Sequence, residues 1–174
     1  ICIVVSPLIA LMKDQVENLK KKGITAIALH SGMHFKQIDA ALDTCVYGDV
    51  KFIYLSPERL RNEVVRVRLQ KMKVNLLAVD EAHCISQWGY DFRPPYLKIA
   101  EVRKQLQNVP IVALTATATP EVAKDIQAKL LFKENNILRK SFVRKNLSYV
   151  VRKTGNKEKT LLDILQKVKG TAIV

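Results

Sequence analysis

The 174-residue sequence has few glycines and cysteines, and their positions argue against several kinds of site. The six glycines form no Gly-x-x-x-x-Gly-Lys-Ser/Thr loop, the motif whose backbone amides hold nucleotide phosphates. Cys2, Cys45 and Cys84 are widely spaced and indicate neither a disulfide framework nor a zinc site. His30 and His34 are four residues apart, but an intervening glycine and the lack of a following Glu argue against zinc there. We therefore expect no zinc site and interpret the cysteines as small buried thiols.

Long apolar runs are also missing from the sequence. No stretch reaches the length of a membrane span, and no secretory signal is visible. We therefore expect no membrane partner and an intracellular, reducing compartment. The chain does not begin with Met, and both ends lie in strand-like runs, residues 1–5 and 171–174. From these ends we expect the sequence to be a piece of a longer protein.

Acidic residues are scarce relative to basic ones. Lys and Arg number 29 against 16 Asp and Glu, which gives a formal net charge of +13. An excess of this size favours a polyanionic partner, most often nucleic acid. The alternative is that the charge serves solubility alone.

Short apolar runs alternate with helical patterns along most of the chain. Such alternation predicts an α/β fold with a parallel sheet covered by helices on both faces. The strand-like runs are Cys2–Val5, Ala26–Leu29, Phe52–Leu55, Leu76–Val79 and residues 111–114. The helical patterns cover residues 8–19, 38–44, 63–72, 97–106 and 121–131.

Polar or small residues follow every predicted strand. In a parallel sheet these five tips meet at one edge, where open α/β sheets bind ligands. The tips are Ser6-Pro7, His30-Ser31-Gly32, Ser56-Pro57-Glu58-Arg59, Asp80-Glu81 and Thr115-Ala116-Thr117. Three Ser/Thr-Pro pairs also predict helix starts, at Ser6-Pro7, Ser56-Pro57 and Thr119-Pro120. The free amides of such a helix start can bind phosphate. The alternative is that the Ser or Thr is an ordinary helix cap.

Two adjacent carboxylates, Asp80 and Glu81, end the fourth predicted strand. Asp80 can supply an oxygen ligand to nucleotide-bound Mg²⁺, often through water. Glu81 is placed to orient and deprotonate an attacking water, and His83 can sense the phosphate or link it to the next segment. The hydroxyls of Thr115 and Thr117 can hydrogen-bond across to this strand. The alternative for the acidic pair is a solvated loop.

An aromatic and basic segment, residues 88–96, follows within a few positions. It holds four of the eleven aromatic residues, Trp88, Tyr90, Phe92 and Tyr96, interleaved with polar residues, glycine and proline. Rigid rings in such a loop suit stacking on unpaired bases, and Arg93 can add a phosphate or cation–π contact. The alternative is an aromatic clasp that holds the loop against its own domain.

The helical and strand pattern loosens near residues 133–145, where we place a domain boundary. Residues 1–140 form the first predicted domain, and residues 141–174 form the start of a second, incomplete one. In the second part we predict strands at 148–151 and 172–174 and a helix at 157–169, capped by Asn156.

Several of these segments resemble the RecQ family of ATP-dependent DNA helicases, within superfamily two. The run from Val79-Asp80-Glu81-Ala82-His83 through Gln87-Trp88-Gly89 to Asp91-Phe92-Arg93-Pro94 is similar to its DEAH box and aromatic-rich loop. Val5-Ser6-Pro7 to Asp14-Gln15 resembles motif Ia, and Tyr54-Leu55-Ser56-Pro57-Glu58-Arg59-Leu60 resembles a further DNA-contacting motif. Ala113-Leu114-Thr115-Ala116-Thr117-Ala118 resembles motif III. Tyr90 and Pro95 depart from the commonest pattern.

The resemblance implies a RecA-like parallel sheet of the P-loop NTPase type, with its first strand and phosphate loop missing here. It implies ATP and Mg²⁺ as cofactors, with Asp80 on the magnesium side, Glu81 as catalytic base, and His83 and Gln87 coupling the site to the loop. Thr115 and Thr117 are implied to participate in that coupling. The implied DNA contacts are Ser6, Pro7, Lys13, Ser56, Arg59, Trp88, Phe92 and Arg93.

The predicted parent protein couples ATP hydrolysis to 3′-to-5′ movement on DNA and to duplex unwinding in repair and recombination. Its partner would be DNA, especially single-stranded and junction DNA, in the bacterial nucleoid or a eukaryotic nucleus. We expect negligible ATPase activity from this segment alone. The alternatives are a non-catalytic nucleic-acid-binding module, a superfamily-two translocase or RNA helicase, and a small-molecule α/β enzyme.

Overall fold

The five apolar runs form one parallel sheet in a computed structural model that describes residues 1–89, 91–141 and 143–174. Its strands are β1 (Cys2–Val5), β2 (Ala26–Leu29), β3 (Phe52–Leu55), β4 (Leu76–Val79) and β5 (Ile111–Ala113). Their order is β2-β3-β1-β4-β5, and each neighbouring pair is parallel. The predicted α/β class with a parallel sheet is confirmed.

The strand register brings the carboxyl ends of the strands to one edge. Val5 lies opposite both Leu55 and Val79, and Val79 lies opposite Ala113. β5 ends one residue before its predicted end, because the Leu114 carbonyl accepts a hydrogen bond from Ala82 in the loop after β4. The polar residues that follow the strands therefore begin at the same edge of the sheet.

Helices cover both faces of the sheet because successive strand residues point to opposite sides. In β1, Ile3 and Val5 belong to the larger apolar core, whereas Val4 packs against the smaller one. The smaller core contains Met12 and Val16 of helix α1. The helices of this part are α1 (Ile9–Lys21), α2 (Phe35–Tyr47), α3 (Glu63–Lys71), α4 (Leu97–Gln105) and α5 (Pro120–Lys129).

The three predicted Ser/Thr-Pro helix starts have different outcomes. Thr119 caps α5, and its hydroxyl accepts a hydrogen bond from the Val122 amide at 3.3 Å. Ser56 precedes a short 3₁₀ helix, Pro57–Arg61, but its hydroxyl makes no capping bond. The prediction at Ser6-Pro7 is wrong, because α1 begins after Leu8 and the Ser6 hydroxyl binds Asp80 instead.

The chain divides into two compact units, Ile1–Asn136 and Ile137–Val174. The second contains helix α6 (Lys157–Lys167), whose first turn is capped by Asn156 as predicted, through a 3.0 Å bond from the Lys159 amide. The predicted strands at 148–151 and 172–174 are wrong, since neither range pairs with another strand in the part of the chain that the structure describes. That residues 141–174 begin a second RecA-like domain stays a prediction.

The apolar content of the helices is distributed in short amphipathic segments. Among residues 1–89, 91–141 and 143–174, no helix combines the length and hydrophobicity that crossing a membrane requires.

Candidate functional site

Asp80 is held by four hydrogen bonds where β4 ends. Its amide donates to the Val5 carbonyl at 2.9 Å, and its own carbonyl accepts from the Tyr96 hydroxyl at 2.9 Å. Its Oδ2 accepts from the Ser6 hydroxyl at 2.9 Å, and its Oδ1 accepts from the Glu81 amide at 3.0 Å. Val5 and Tyr96 therefore hold the Asp80 backbone, and Ser6 and the Glu81 amide orient its carboxylate.

Glu81 adopts the left-handed backbone conformation, with φ 46° and ψ 45°. Such a conformation costs a residue with a β-carbon about 1 kcal/mol or more and persists only where neighbouring bonds enforce it. Here the Ala82 amide donates to the Leu114 carbonyl at 2.9 Å, which fixes the chain immediately after Glu81. The turn places Glu81 Oε2 3.3 Å from His83 Nδ1.

His83 connects the ends of β4 and β5. Its Nδ1 lies 2.9 Å from the Thr115 hydroxyl, and the Thr117 amide donates to that same hydroxyl at 3.3 Å. The His83 side chain is only 12% exposed, so these contacts form in a sheltered position. The structure thus brings together His83, Glu81 and the two threonines that the sequence assigned to coupling.

The segment after His83 folds back on itself. The Arg93 amide donates to the Cys84 carbonyl at 2.9 Å. The Arg93 guanidinium donates twice to Asp91 Oδ2, from Nε at 2.9 Å and from Nη2 at 2.7 Å. The predicted phosphate-binding side chain therefore has an internal partner, and Arg93 lines the same cleft as Glu81.

The rings of this segment divide between surface and core. Trp88 is 80% exposed, Phe92 is half-buried, and Tyr96 is fully buried with its hydroxyl on Asp80. The buried Tyr96 fits the alternative of an aromatic clasp that holds the loop against its own domain, whereas stacking of bases on Trp88 and Phe92 stays a prediction. Gln87 is exposed beside Trp88. Tyr90 lies outside the described residues.

Burial and Arg93 shift the pKa values of three side chains in this region. The hydrogen bond from Arg93 holds the pKa of Asp91 below its usual value. Burial, with a contribution from the Asp91 charge, raises the pKa of the Cys84 thiol to about 11. Burial also raises the pKa of Tyr96, so its phenol keeps the proton that it donates to Asp80.

A cleft of about 480 Å³ lies between Glu81 and the folded-back segment. Residues from the tips of β1, β4 and β5 and from the aromatic segment line it. They are Pro7, Leu8, Glu81, His83, Cys84, Asp91, Arg93, Ala116 and Thr117. The predicted hydrolytic residue Glu81 and the predicted DNA-contacting residues Pro7 and Arg93 therefore share one cavity.

The remaining residues that the resemblance assigned to DNA contact occupy different environments. Ser6 and Ser56 are 2% and 3% exposed, so their hydroxyls do not lie on the surface. Arg59 donates from Nε to the His30 carbonyl at 3.1 Å, which ties the tip of β3 to the tip of β2. Lys13 is exposed on α1. Their roles in DNA binding stay predictions.

Sequence reasoning missed several contacts that anchor the aromatic segment and the residues just before it. Tyr96 was grouped with the surface rings, and only its hydrogen bond to Asp80 shows that it supports the acidic pair. Lys129 of α5 donates to the Ile85 carbonyl at 3.0 Å, and Asp125 binds both Lys129 and the Ser86 hydroxyl. No spacing in the sequence indicates the contacts of Lys129 with Ile85 and of Asp125 with Ser86, because they join segments about forty residues apart.

Comparison with known proteins gives consistent results for the family and the fold. The family model described as DEAD/DEAH box helicase matches residues 1–126. The ATP-dependent DNA helicase RecQ of Bacillus subtilis is 45% identical over 166 residues, covering 94% of this chain and 28% of that protein. The ATP-dependent helicase wrn-1 of Caenorhabditis elegans is 45% identical over 149 residues, covering 83% of this chain and 14% of that protein.

A solved structure supports the fold assignment. The Hef helicase domain of Pyrococcus furiosus superposes with a TM-score of 0.56 at 21% identity, over 76% of this chain and 28% of that one. This chain spans less than a third of the length of either relative. The match to the family model covers well over half of the chain, so the chain belongs to the DEAD/DEAH box helicase family, and it is similar over most of its length to RecQ-type ATP-dependent DNA helicases.

Proposed function

We propose that this chain is the part of an ATP-dependent DNA helicase in which ATP hydrolysis is linked to DNA occupancy. The parent protein would move 3′ to 5′ along single-stranded DNA and unwind duplexes and junctions during repair and recombination, in a bacterial cytoplasm or a eukaryotic nucleus. One observation carries the proposal: Glu81 and Arg93, from the hydrolytic and aromatic segments, line the same cleft. The family resemblance supports the direction of movement.

The residues around Asp80 fit a magnesium ion. The donor groups are oxygens only, the Asp80 carboxylate and the Ser6 hydroxyl 2.9 Å from it, and Mg²⁺ prefers oxygen ligands and retained water. Bound Mg²⁺–ATP would supply the phosphate that water attacks. Asp80, already oriented by the amide of Glu81 and by Ser6, would hold the hydrated ion without rearrangement of the strand end.

Glu81 has the position and surroundings of a general base. Its carboxylate lines the cleft, and a carboxylate within reach of a water can take its proton. His83 Nδ1, 3.3 Å from Glu81 Oε2, would orient the carboxylate and leave its other oxygen for the water. The Thr115 hydroxyl holds the same ring nitrogen, so movement at the tip of β5 would change the direction of Glu81.

The aromatic segment has the properties of a sensor for unpaired bases. Trp88 is exposed, and base stacking on such a ring is worth about 1–3 kcal/mol. Its amide donates to the Ser86 hydroxyl at 3.2 Å, and Ser86 follows the 3₁₀ helix Ala82–Ile85 that contains His83. A base that moves Trp88 would therefore act on the helix that positions the Glu81 partner.

The test is Trp88→Ala in the full-length protein, with ATP hydrolysis measured with and without single-stranded DNA. We expect basal hydrolysis to be kept and stimulation by DNA to be lost, because the variant removes the stacking ring alone. Tyr47→Ala is the matched control, since Tyr47 is equally exposed at 80% but lies on α2. Normal stimulation in the Trp88 variant would refute the coupling.

A second function, DNA binding without hydrolysis, is favoured for residues 1–174 taken alone. They contain no glycine-rich phosphate loop but carry a net charge of +13. For the isolated chain we therefore expect binding of single-stranded DNA with negligible ATP turnover. Turnover comparable with that of the full-length protein would refute this reading.

A further inference from the structure

Three side chains that can bind metal meet at the cleft, and the proposed helicase function leaves their shared contacts unexplained. Cys84 Sγ lies 3.7 Å from His83 Nε2 and 3.8 Å from Asp91 Oδ2. One ligand atom from each residue lies within 4.8 Å of the other two. A nitrogen, a thiol sulfur and a carboxylate oxygen form a donor set typical of zinc rather than of magnesium.

We propose that His83, Cys84 and Asp91 form a binding site for a thiophilic divalent cation of the zinc class. The protein supplies three ligands, and the fourth position faces the cleft, open to water or to an anion. On binding, a metal–sulfur bond forms and the thiol proton passes to bulk water. This site is separate from the oxygen-only donors at Asp80 and does not depend on the proposed helicase function.

The two distances from Cys84 Sγ fit tetrahedral zinc coordination. Metal–sulfur bonds of about 2.3 Å and metal–nitrogen or metal–oxygen bonds of about 2.1 Å place sulfur about 3.6 Å from each of the other ligand atoms. The observed separations of 3.7 and 3.8 Å from Cys84 Sγ differ from that value by only a few tenths of an ångström. The ligand atoms of Asp91 and His83 lie within 4.8 Å of each other, against about 3.4 Å in a tetrahedral site with bonds of about 2.1 Å.

The His83 ring is already oriented as a zinc ligand requires. Its Nδ1 faces Glu81 Oε2 at 3.3 Å and the Thr115 hydroxyl at 2.9 Å. In the tautomer that carries the proton on Nδ1, the proton faces these two oxygens and the lone pair of Nε2 faces Cys84. Zinc-binding histidines commonly place their other ring nitrogen next to a hydrogen-bonding oxygen of this kind.

Arg93 is the competitor for this site. It donates two hydrogen bonds to Asp91 Oδ2, so a cation must use the other oxygen or displace the guanidinium. Displacement would free Arg93 while fixing Asp91 to the segment that contains His83. The bound cation would therefore clamp the base of the aromatic segment.

The test titrates the 174-residue chain with Co²⁺ and then with Zn²⁺. We expect one equivalent of Co²⁺ to produce a thiolate-to-metal charge-transfer band and the visible bands of tetrahedral cobalt, all displaced by Zn²⁺ and unaffected by excess Mg²⁺. Cys84→Ser should abolish the charge-transfer band. Cys45→Ser, which changes a buried thiol in α2, is the matched control and should keep it.

A second variant keeps the test decisive if Cys84→Ser does not fold. Asp91→Asn changes a half-exposed residue and should weaken Zn²⁺ binding tenfold or more by calorimetry, with an unchanged circular dichroism spectrum. The proposal is overturned if no saturable binding occurs, or if binding survives both substitutions. Binding that is lost only in His34→Gln would also overturn it, because that result would indicate an adventitious surface site.

Discussion

Glu81 shows how a single residue can be directed by its neighbours rather than by its own preference. A left-handed backbone is unfavourable for glutamate, but hydrogen bonds hold the chain on both sides of Glu81. The Asp80 amide donates to the Val5 carbonyl, and the Ala82 amide donates to the Leu114 carbonyl. These bonds turn the Glu81 side chain, 38% exposed, toward His83 at the cleft. At this scale the fold determines where the carboxylate points, and the residue type determines what it can do there.

The residue-scale prediction is that Glu81→Gln separates nucleotide binding from hydrolysis. Glutamine keeps the size and the polar contacts of glutamate but cannot accept the proton, so we expect hydrolysis to fall by about 100-fold or more with nucleotide affinity retained. Steady-state ATPase assays and equilibrium nucleotide binding on the full-length protein measure the two. Glu17→Gln, an exposed change on α1, should leave both unchanged. Appreciable turnover by the Glu81 variant would remove Glu81 from the base role.

At the scale of elements, the turn that leads into the aromatic segment depends on a close backbone approach. The Gly89 amide donates to the Ser86 carbonyl at 3.1 Å. A β-carbon at Gly89 would lie 2.5 Å from the His83 carbonyl oxygen and 3.1 Å from that of Ser86. Only glycine therefore lets the chain pass directly over the 3₁₀ helix that carries His83.

The element-scale prediction is that Gly89→Ala distorts this turn. We expect a loss of about 1–3 kcal/mol in unfolding free energy, because the added methyl group meets backbone atoms that cannot easily move away. Urea denaturation of this chain measures the loss, and the emission of Trp88, its one tryptophan, reports the displaced turn. Gly155→Ala is the control, since an added methyl there meets no atom within 4 Å. Equal stability of the two variants would contradict the packing argument.

At the scale of the whole molecule, the positive charge is unevenly distributed between the two units. Residues 137–174 hold ten of the 29 Lys and Arg but only two of the 16 Asp and Glu. Residues 1–136 are closer to balance, and they contain the cleft and the exposed Trp88. Under the proposed function, electrostatic attraction to DNA would therefore involve both units, whereas the proposed hydrolytic residues all lie in residues 1–136.

The whole-molecule prediction concerns the salt dependence of DNA binding. Each phosphate contact to single-stranded DNA contributes about 0.7 to the slope of log affinity against log salt, so three contacts give about a tenfold loss or more from 50 to 200 mM salt. Fluorescence anisotropy with a labelled oligonucleotide measures the slope. Lys13→Gln should reduce the slope by about 0.7. Lys21→Gln, on the same helix and paired with Glu17 at 3.7 Å, should change it little, and equal slopes would exclude Lys13 as a contact.

The local pattern of apolar and polar residues was sufficient to predict most of the sheet and its helices. Four strands have the predicted bounds, because short apolar runs between polar residues suit a buried strand and little else. The strands predicted at 148–151 and 172–174 did not form, since a strand also requires a neighbour and an apolar run does not supply one. The start of α1 was missed because Ser6 uses its hydroxyl on Asp80, 74 residues away.

The sequence by itself determined that five strand tips would share one edge and that Asp80 and Glu81 would stand on it, since both follow from periodicity and from the geometry of parallel strands. Only the tertiary structure decided the partners of these groups. The Tyr96 hydroxyl on Asp80, the left-handed turn at Glu81 and the approach of Asp91 to His83 and Cys84 depend on how loops pack over the sheet. Contacts of this kind are set by distances in space, to a few tenths of an ångström, and residue spacing along the chain does not encode them.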